Sequence, residues 1–144
     1  MPDRRTVIFL GVIATGLWAF MAPAFAEGAV AIGLPSDVAK GGVSLGLSSN
    51  YTEVEAKRRA MANCHDIGSK ISKSLCKVLT TFKDQCATAA IDPQAGTPGF
   101  GWSLGANIQD AEKKALAKCE ETAGPKRRGA CVVRIKGTCD GSAK

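Results

Sequence analysis

Chemistry in this chain would have to start from sulfur, from a single imidazole or from clustered basic side chains. The sequence holds six cysteines, Cys64, Cys76, Cys86, Cys119, Cys131 and Cys139, and one histidine, His65. A zinc centre draws Cys and His ligands from short, regular spacings. Here no Cys-x-x-Cys occurs and one histidine would have to serve with scattered cysteines, so no metal site is expected. A dithiol redox centre also usually shows Cys-x-x-Cys. A nucleophilic triad needs a base, and His65 directly follows Cys64 at the predicted end of a helix, where a cation suits the macrodipole. Asp84, Asp92, Asp110 and Glu112 do not read as a paired acid and base. The stretch GTPGFGWSLGAN, residues 96–107, matches neither the dinucleotide nor the phosphate-loop pattern. Its glycines read as turn and strand residues. No catalytic residue and no cofactor is expected.

Binding chemistry has two candidates. The first is positive charge: Lys57, Arg58, Arg59, Lys113 and Lys114 on two predicted helices, with Lys126, Arg127 and Arg128 in a loop. Such a surface would attract an anionic protein, lipid or cell-wall polymer, although a basic helix face also serves simply as solvated surface. Nucleic acid is not expected, because no recognition motif accompanies the charge. The second is Phe100 with Trp102, which pack into a core or, if exposed, mark an interface.

These residues belong to a chain of 144 residues with formal net charge +6. Met1 to Arg5 is short and basic, Thr6 to Pro23 is almost continuously apolar, and Ala24-Phe25-Ala26 supplies a small-x-small cleavage box. Residues 1–26 therefore read as a secretory signal peptide. Residues 27–144 read as one small domain able to bury a single modest core. All six cysteines fall in that part. An even number in a small exported chain reads as a disulfide framework, and the expected location is the periplasm or outside the cell.

The elements that position these residues are written twice. AIGLPSDVAKGGVSLG, Ala31 to Gly46, aligns without a gap to AIDPQAGTPGFGWSLG, Ala90 to Gly105. AKRRAMANC, Ala56 to Cys64, parallels AEKKALAKC, Ala111 to Cys119. Cys64 to Cys76 and Cys119 to Cys131 are both twelve positions, and a third cysteine follows in each copy. A period near this length indicates a duplicated supersecondary unit, with repeat one at residues 29–86 and repeat two at 87–144. Between Ser44 and Cys64 the first copy is four residues longer than the second between Ser103 and Cys119. The surplus lengthens either the helix by about a turn or the loop leading into it.

Each copy reads as β-β-α-β. GAVAIG and ATAAI are short strands. GVSLGL and FGWSLG alternate, with Val43, Leu45 and Leu47, or Phe100, Trp102 and Leu104, on one face and Gly and Ser on the other. Asn50 with Glu53, and Asn107 with Asp110, have helix-capping spacing. Ile108, Ala111, Ala115, Leu116 and Cys119 form one helical stripe, and Val54, Ala56, Ala60, Met61 and Cys64 a looser one. Alanines facing strand glycine and serine let a helix approach a sheet closely. CKVLTTF and CVVRIK are final strands. Six cysteines allow about fifteen connectivities. The preferred one joins Cys64 to Cys76 and Cys119 to Cys131, helix end to strand, and leaves Cys86 to meet Cys139 across the repeats.

GWSLG, an alanine-rich helix ending in Cys, Cys-x-Val, a third Cys and a second copy together resemble a bacterial family of small exported proteins, domain of unknown function 4189. The first copy departs from it at Val43, where an aromatic such as Trp102 is usual, and in its longer helix region. The resemblance implies compartment and fold and brings no enzymatic activity. The expected architecture is a disulfide-stabilised α+β domain of two β-β-α-β repeats about a pseudo-twofold. The expected work is non-catalytic binding in or beyond the bacterial envelope, with another protein as first partner. An envelope enzyme using the groove between repeats, or a polyanion- or cell-wall-binding module, is the alternative.

Overall fold

Alternation of small and branched residues sets the first strand, β1, Glu27–Gly33: Ala29 and Ala31 face one side, Val30 and Ile32 the other. The structure, a computed structural model, describes residues 27–144, and the expected signal peptide over 1–26 lies outside the described residues. After β1 come a short helix α1, Val38–Gly41; β2, Ser44–Tyr51; α2, Glu53–Asp66; α3, Lys70–Ser74; and β3, Lys77–Phe82. The second copy supplies β4, Cys86–Ile91; β5, Phe100–Gly105; α4, Ile108–Ala123; a single 3-10 turn at Pro125–Arg127; and β6, Val132–Cys139. Each copy forms a three-stranded antiparallel sheet, ordered β2-β1-β3 and β5-β4-β6. The β-β-α-β unit thus occurs twice, with a small helix added in each Cys-to-Cys loop or before the second strand of the first copy. The recurring order is what an approximate twofold would give.

The two sheets pack face to face. Val30, Ile32, Leu45 and Phe82 of the first share one core with Ala87, Ala89 and Phe100 of the second. The helices cover the outer faces, α2 over β1 and β2, α4 over β4 and β5. Small residues govern that outer packing. A Cβ built on Gly46 would lie 1.9 Å from the Ala60 carbonyl oxygen, and one on Gly101 would lie 2.3 Å from that of Ala115. Glycine is therefore required where each helix backbone rests on its strand. Ala56, Ala60 and Cys64 in α2, and Ala111, Ala115 and Cys119 in α4, are the fully buried positions of the helices. Val54 is not among them: it is 80% exposed. It sits in the first turn, and the buried i, i+4, i+8 stripe starts only at Ala56.

Asn107 caps α4, its Oδ1 accepting from the Asp110 N–H at 2.8 Å. The first copy differs from expectation, since Thr52 and not Asn50 caps α2, accepting from the Glu55 N–H. The surplus four residues explain the shift. Helix α2 begins nine positions after Ser44 and α4 five after Ser103, and α2 is the shorter helix, 14 residues against 16. The surplus lengthens β2 and its exit, not the helix. Asn50 adopts φ of 62°, a left-handed conformation that asparagine tolerates better than most residues. This extension crosses to the other sheet. The hydroxyls of Ser49 and Thr138 are 2.7 Å apart, the Asn50 N–H donates to Asp140 Oδ1 at 2.7 Å, and the Asn50 amide donates to the Cys139 carbonyl.

The disulfides join Cys64 to Cys76, Cys119 to Cys131, and Cys86 to Cys139. The first two fasten each long helix to the segment before its own last strand. The third does not span the sheets. Cys86 opens β4 and pairs in register with Cys139 at the end of β6, so it closes a corner within the second sheet. The third cysteines of the two copies are therefore not equivalent. In the first sheet that corner is closed by the Phe82 ring lying over Gly28.

Candidate functional site

A sandwich of two three-stranded sheets has two open seams, and the duplication gives each seam the same parts. One part is a β-bulge in the last strand of each unit. In the first sheet Val30 pairs with Thr80 and Ala31 with Val78, leaving Leu79 unpaired between them. In the second Ala89 pairs with Ile135 and Ala90 with Val133, leaving Arg134 unpaired. Counting from the aligned Cys76 and Cys131, Leu79 and Arg134 occupy the same place in the repeat. A bulge turns its extra residue out of the regular alternation, and here both extra residues line a seam. The other part is the residue just ahead of the aligned serines, Trp102 before Ser103 and Val43 before Ser44.

One seam is nearly filled. Trp102, Ile32, Leu34, Lys77 and Leu79 enclose only about 210 Å³. The indole is half-buried against the core, with the Lys118 ammonium 5.5 Å from its ring centroid and donating to the Trp102 backbone carbonyl. The other seam is open. Val43, Leu45, Ile67, Gly68, Ala89, Ile91, Phe100, Arg134 and Ile135 line a groove of about 510 Å³. Ile91 stands where Ile32 stands in the first seam, Arg134 where Leu79 stands, and Val43 where Trp102 stands. The small side chain of Val43 leaves the space that the indole fills on the other side. Among the described residues Arg134 is the only charged or hydrogen-bonding side chain in the lining, and it forms no ion pair. At Val43 and Ile91 the groove adjoins a second, more polar hollow of about 390 Å³ between α1 and the loop from Asp92 to Gly99.

The eight basic residues singled out from the sequence do not form one site. Lys57 pairs with Glu53, Arg58 and Arg59 with Glu55, and Lys114 with Asp110, all along their own helices. Clamped by Arg58 and Arg59, the Glu55 carboxyl is held down to about 2. Arg58 and Arg59 do border a polar hollow of about 380 Å³ with Ser48, Ser49, Tyr51 and Asn63, and the Arg59 guanidinium lies 4.3 Å from the Tyr51 ring centroid. Arg127 is not an open anion ligand. It makes a two-point ion pair with Asp92, at 2.7 and 2.6 Å, whose side chain is fully enclosed. The guanidinium holds the Asp92 carboxyl at about 2 against the cost of desolvating it. Arg127 thereby ties the Cys119–Cys131 loop to the end of β4, and Glu120 completes the tie by accepting from the N–H groups of Gly129 and Cys131. Lys113, Lys126 and Arg128 make no ion pair among the described residues.

His65 is in the last turn of α2 and exposed. Phe100 is a core residue that also floors the groove. Arg134 and Ile67 were invisible from sequence, because a strand arginine and a helix-end isoleucine look ordinary until the seam is built.

Comparison of the chain with protein families matches residues 28–137 to the family described as Domain of unknown function (DUF4189). No curated protein and no solved structure matches the chain.

Proposed function

The chain belongs to the DUF4189 family, whose description assigns no activity, and on that premise we propose that it is a non-catalytic binding domain working outside the cytoplasm, with the open seam as its binding site. The observation that carries this reading is the contrast between the seams. Two equivalent grooves exist, one filled by Trp102 and the other left open by Val43. A cavity of this size, mostly apolar with one placed polar group, has the features of a ligand site. Three disulfides favour an oxidising compartment, which fits the secretory pattern of residues 1–26. Among the described residues no helix is long and apolar enough to cross a membrane.

Val43→Trp tests the site by copying the filled seam. The purified, oxidised protein should enhance the fluorescence of neutral phenylnaphthylamine saturably, and the V43W protein should not, while keeping its thermal midpoint. No enhancement with the original chain would refute the groove as a binding site. The compartment is tested by the N-terminus of the protein recovered from its own cells, which should be Glu27. Recovery of the whole chain in the cytoplasm would contradict export. Crosslinking from an envelope fraction, with the original and V43W chains as baits, then reads whether a protein partner depends on the groove.

A further inference from the structure

Taking the open seam as the binding site, we infer that its ligand is a single-chain amphiphile with a compact anionic head, its apolar part lying between the sheets and its head on Arg134. The lining dictates both halves. Val43, Leu45, Ile91, Phe100 and Ile135 offer hydrocarbon and aromatic surface, which gains by removing apolar ligand surface from water. They offer no side-chain hydrogen bond. A bound protein segment would bring an N–H and a C=O with every residue, and burying these without partners is costly. A hydrocarbon chain brings none.

The charge sits at one place. Arg134 is delivered by the bulge in β6, is exposed, and makes neither an ion pair nor a side-chain hydrogen bond among the described residues. Every other arginine singled out above, except Arg128, is held by a carboxylate. A guanidinium presents a planar fork of donors suited to a carboxylate or phosphate. The strand carrying it, β6, adds Lys136 and contains no acidic residue. The equivalent bulge position in the filled seam is Leu79, so a guanidinium carried on the bulge is found in the open seam alone, while the filled seam has only Lys77 at its lining.

Three probes of equal chain length separate the contributions: decanoate and decyltrimethylammonium, each titrated below its micelle concentration, and decanol, titrated below its solubility limit, into the oxidised protein by calorimetry. Decanoate should bind about tenfold or more tightly than decanol, the order that one charge-assisted hydrogen bond supplies, and the cationic amphiphile should bind weakest. Arg134→Gln should bring decanoate down to decanol while leaving decanol unchanged. V43W should remove both. Equal affinity of the original protein for the acid and the alcohol overturns the head-group assignment and leaves the groove intact. So does an R134Q protein that still prefers the acid. Decanoate binding that survives V43W places the ligand elsewhere and overturns the proposal. Failure of all three probes, together with no phenylnaphthylamine signal, removes the groove reading itself. If decanoate binds, titration with anionic lysophospholipid asks whether the head is a carboxylate or a lipid phosphate.

Discussion

Single side chains in this protein act mainly through size and through charge pairing. Gly46 and Gly101 are fixed by helix carbonyls at distances no Cβ tolerates. Gly46→Ala or Gly101→Ala should therefore lower stability by about 3 kcal/mol or more, the upper range for overpacking, read as a shift in the denaturation midpoint with the m-value unchanged. Asp92 carries the main acid-sensitive contact. Its carboxyl is lowered to about 2 from 3.8 by the Arg127 guanidinium. A group lowered in the folded state stabilises it fully above the unfolded value and loses that contribution as pH falls through the folded one. Thermal stability should consequently drop between about pH 4 and pH 2, and Arg127→Gln should flatten that part of the profile. An unchanged acid limb in R127Q would show that the pair is not responsible. Glu55 is lowered by Arg58 and Arg59 in the same direction, but it lies on an exposed helix face where such pairs contribute little.

Among the elements, two covalent bridges of equal reach hold the long helices to their sheets, and a third of longer reach closes a corner within the second sheet. Cys64–Cys76 and Cys119–Cys131 each close a separation of 12, whereas Cys86–Cys139 closes 53. In the chain-entropy account these are worth about 3 and about 4 kcal/mol. Replacing Cys86 and Cys139 together by alanine should thus cost more than replacing either short-loop pair, as chemical denaturation of the three double variants would show. The bridges also show how far sequence reading reached. Equal Cys spacings and a helix-to-strand topology pointed to the short bridges. The third was paired correctly but its span was not legible, because only strand register places Cys86 inside the second sheet. Capping shows the same boundary. Asn107 was readable because its helix follows the shorter exit, whereas Asn50 was displaced by four residues whose role is tertiary. Those residues reach Thr138, Cys139 and Asp140. Asp140→Ala, which removes the acceptor for the Asn50 N–H, should cost about 1 to 3 kcal/mol in thermal or chemical unfolding.

At the scale of the molecule, two nearly equal halves build a sandwich with unequal seams. Trp102→Val should open the filled seam, lower stability by about 2 to 4 kcal/mol, and create a second site for phenylnaphthylamine. A variant that loses stability without gaining probe binding would mean that the cavity collapses and that a small residue alone does not make a groove. The sequence by itself determined the duplication, the β-β-α-β order, the alanine faces of the helices and the expectation of three disulfides. Each of these is local or periodic: it depends on spacing along the chain. Tertiary structure alone decided which faces meet, that Arg127 is spent on Asp92, and that the bulge residue Arg134 shares a groove with Val43. Those facts depend on the register and packing of strands far apart in sequence, where one residue of slip exchanges the two faces of a strand. Neither Val43 nor Arg134 carries that information until the two sheets are brought together.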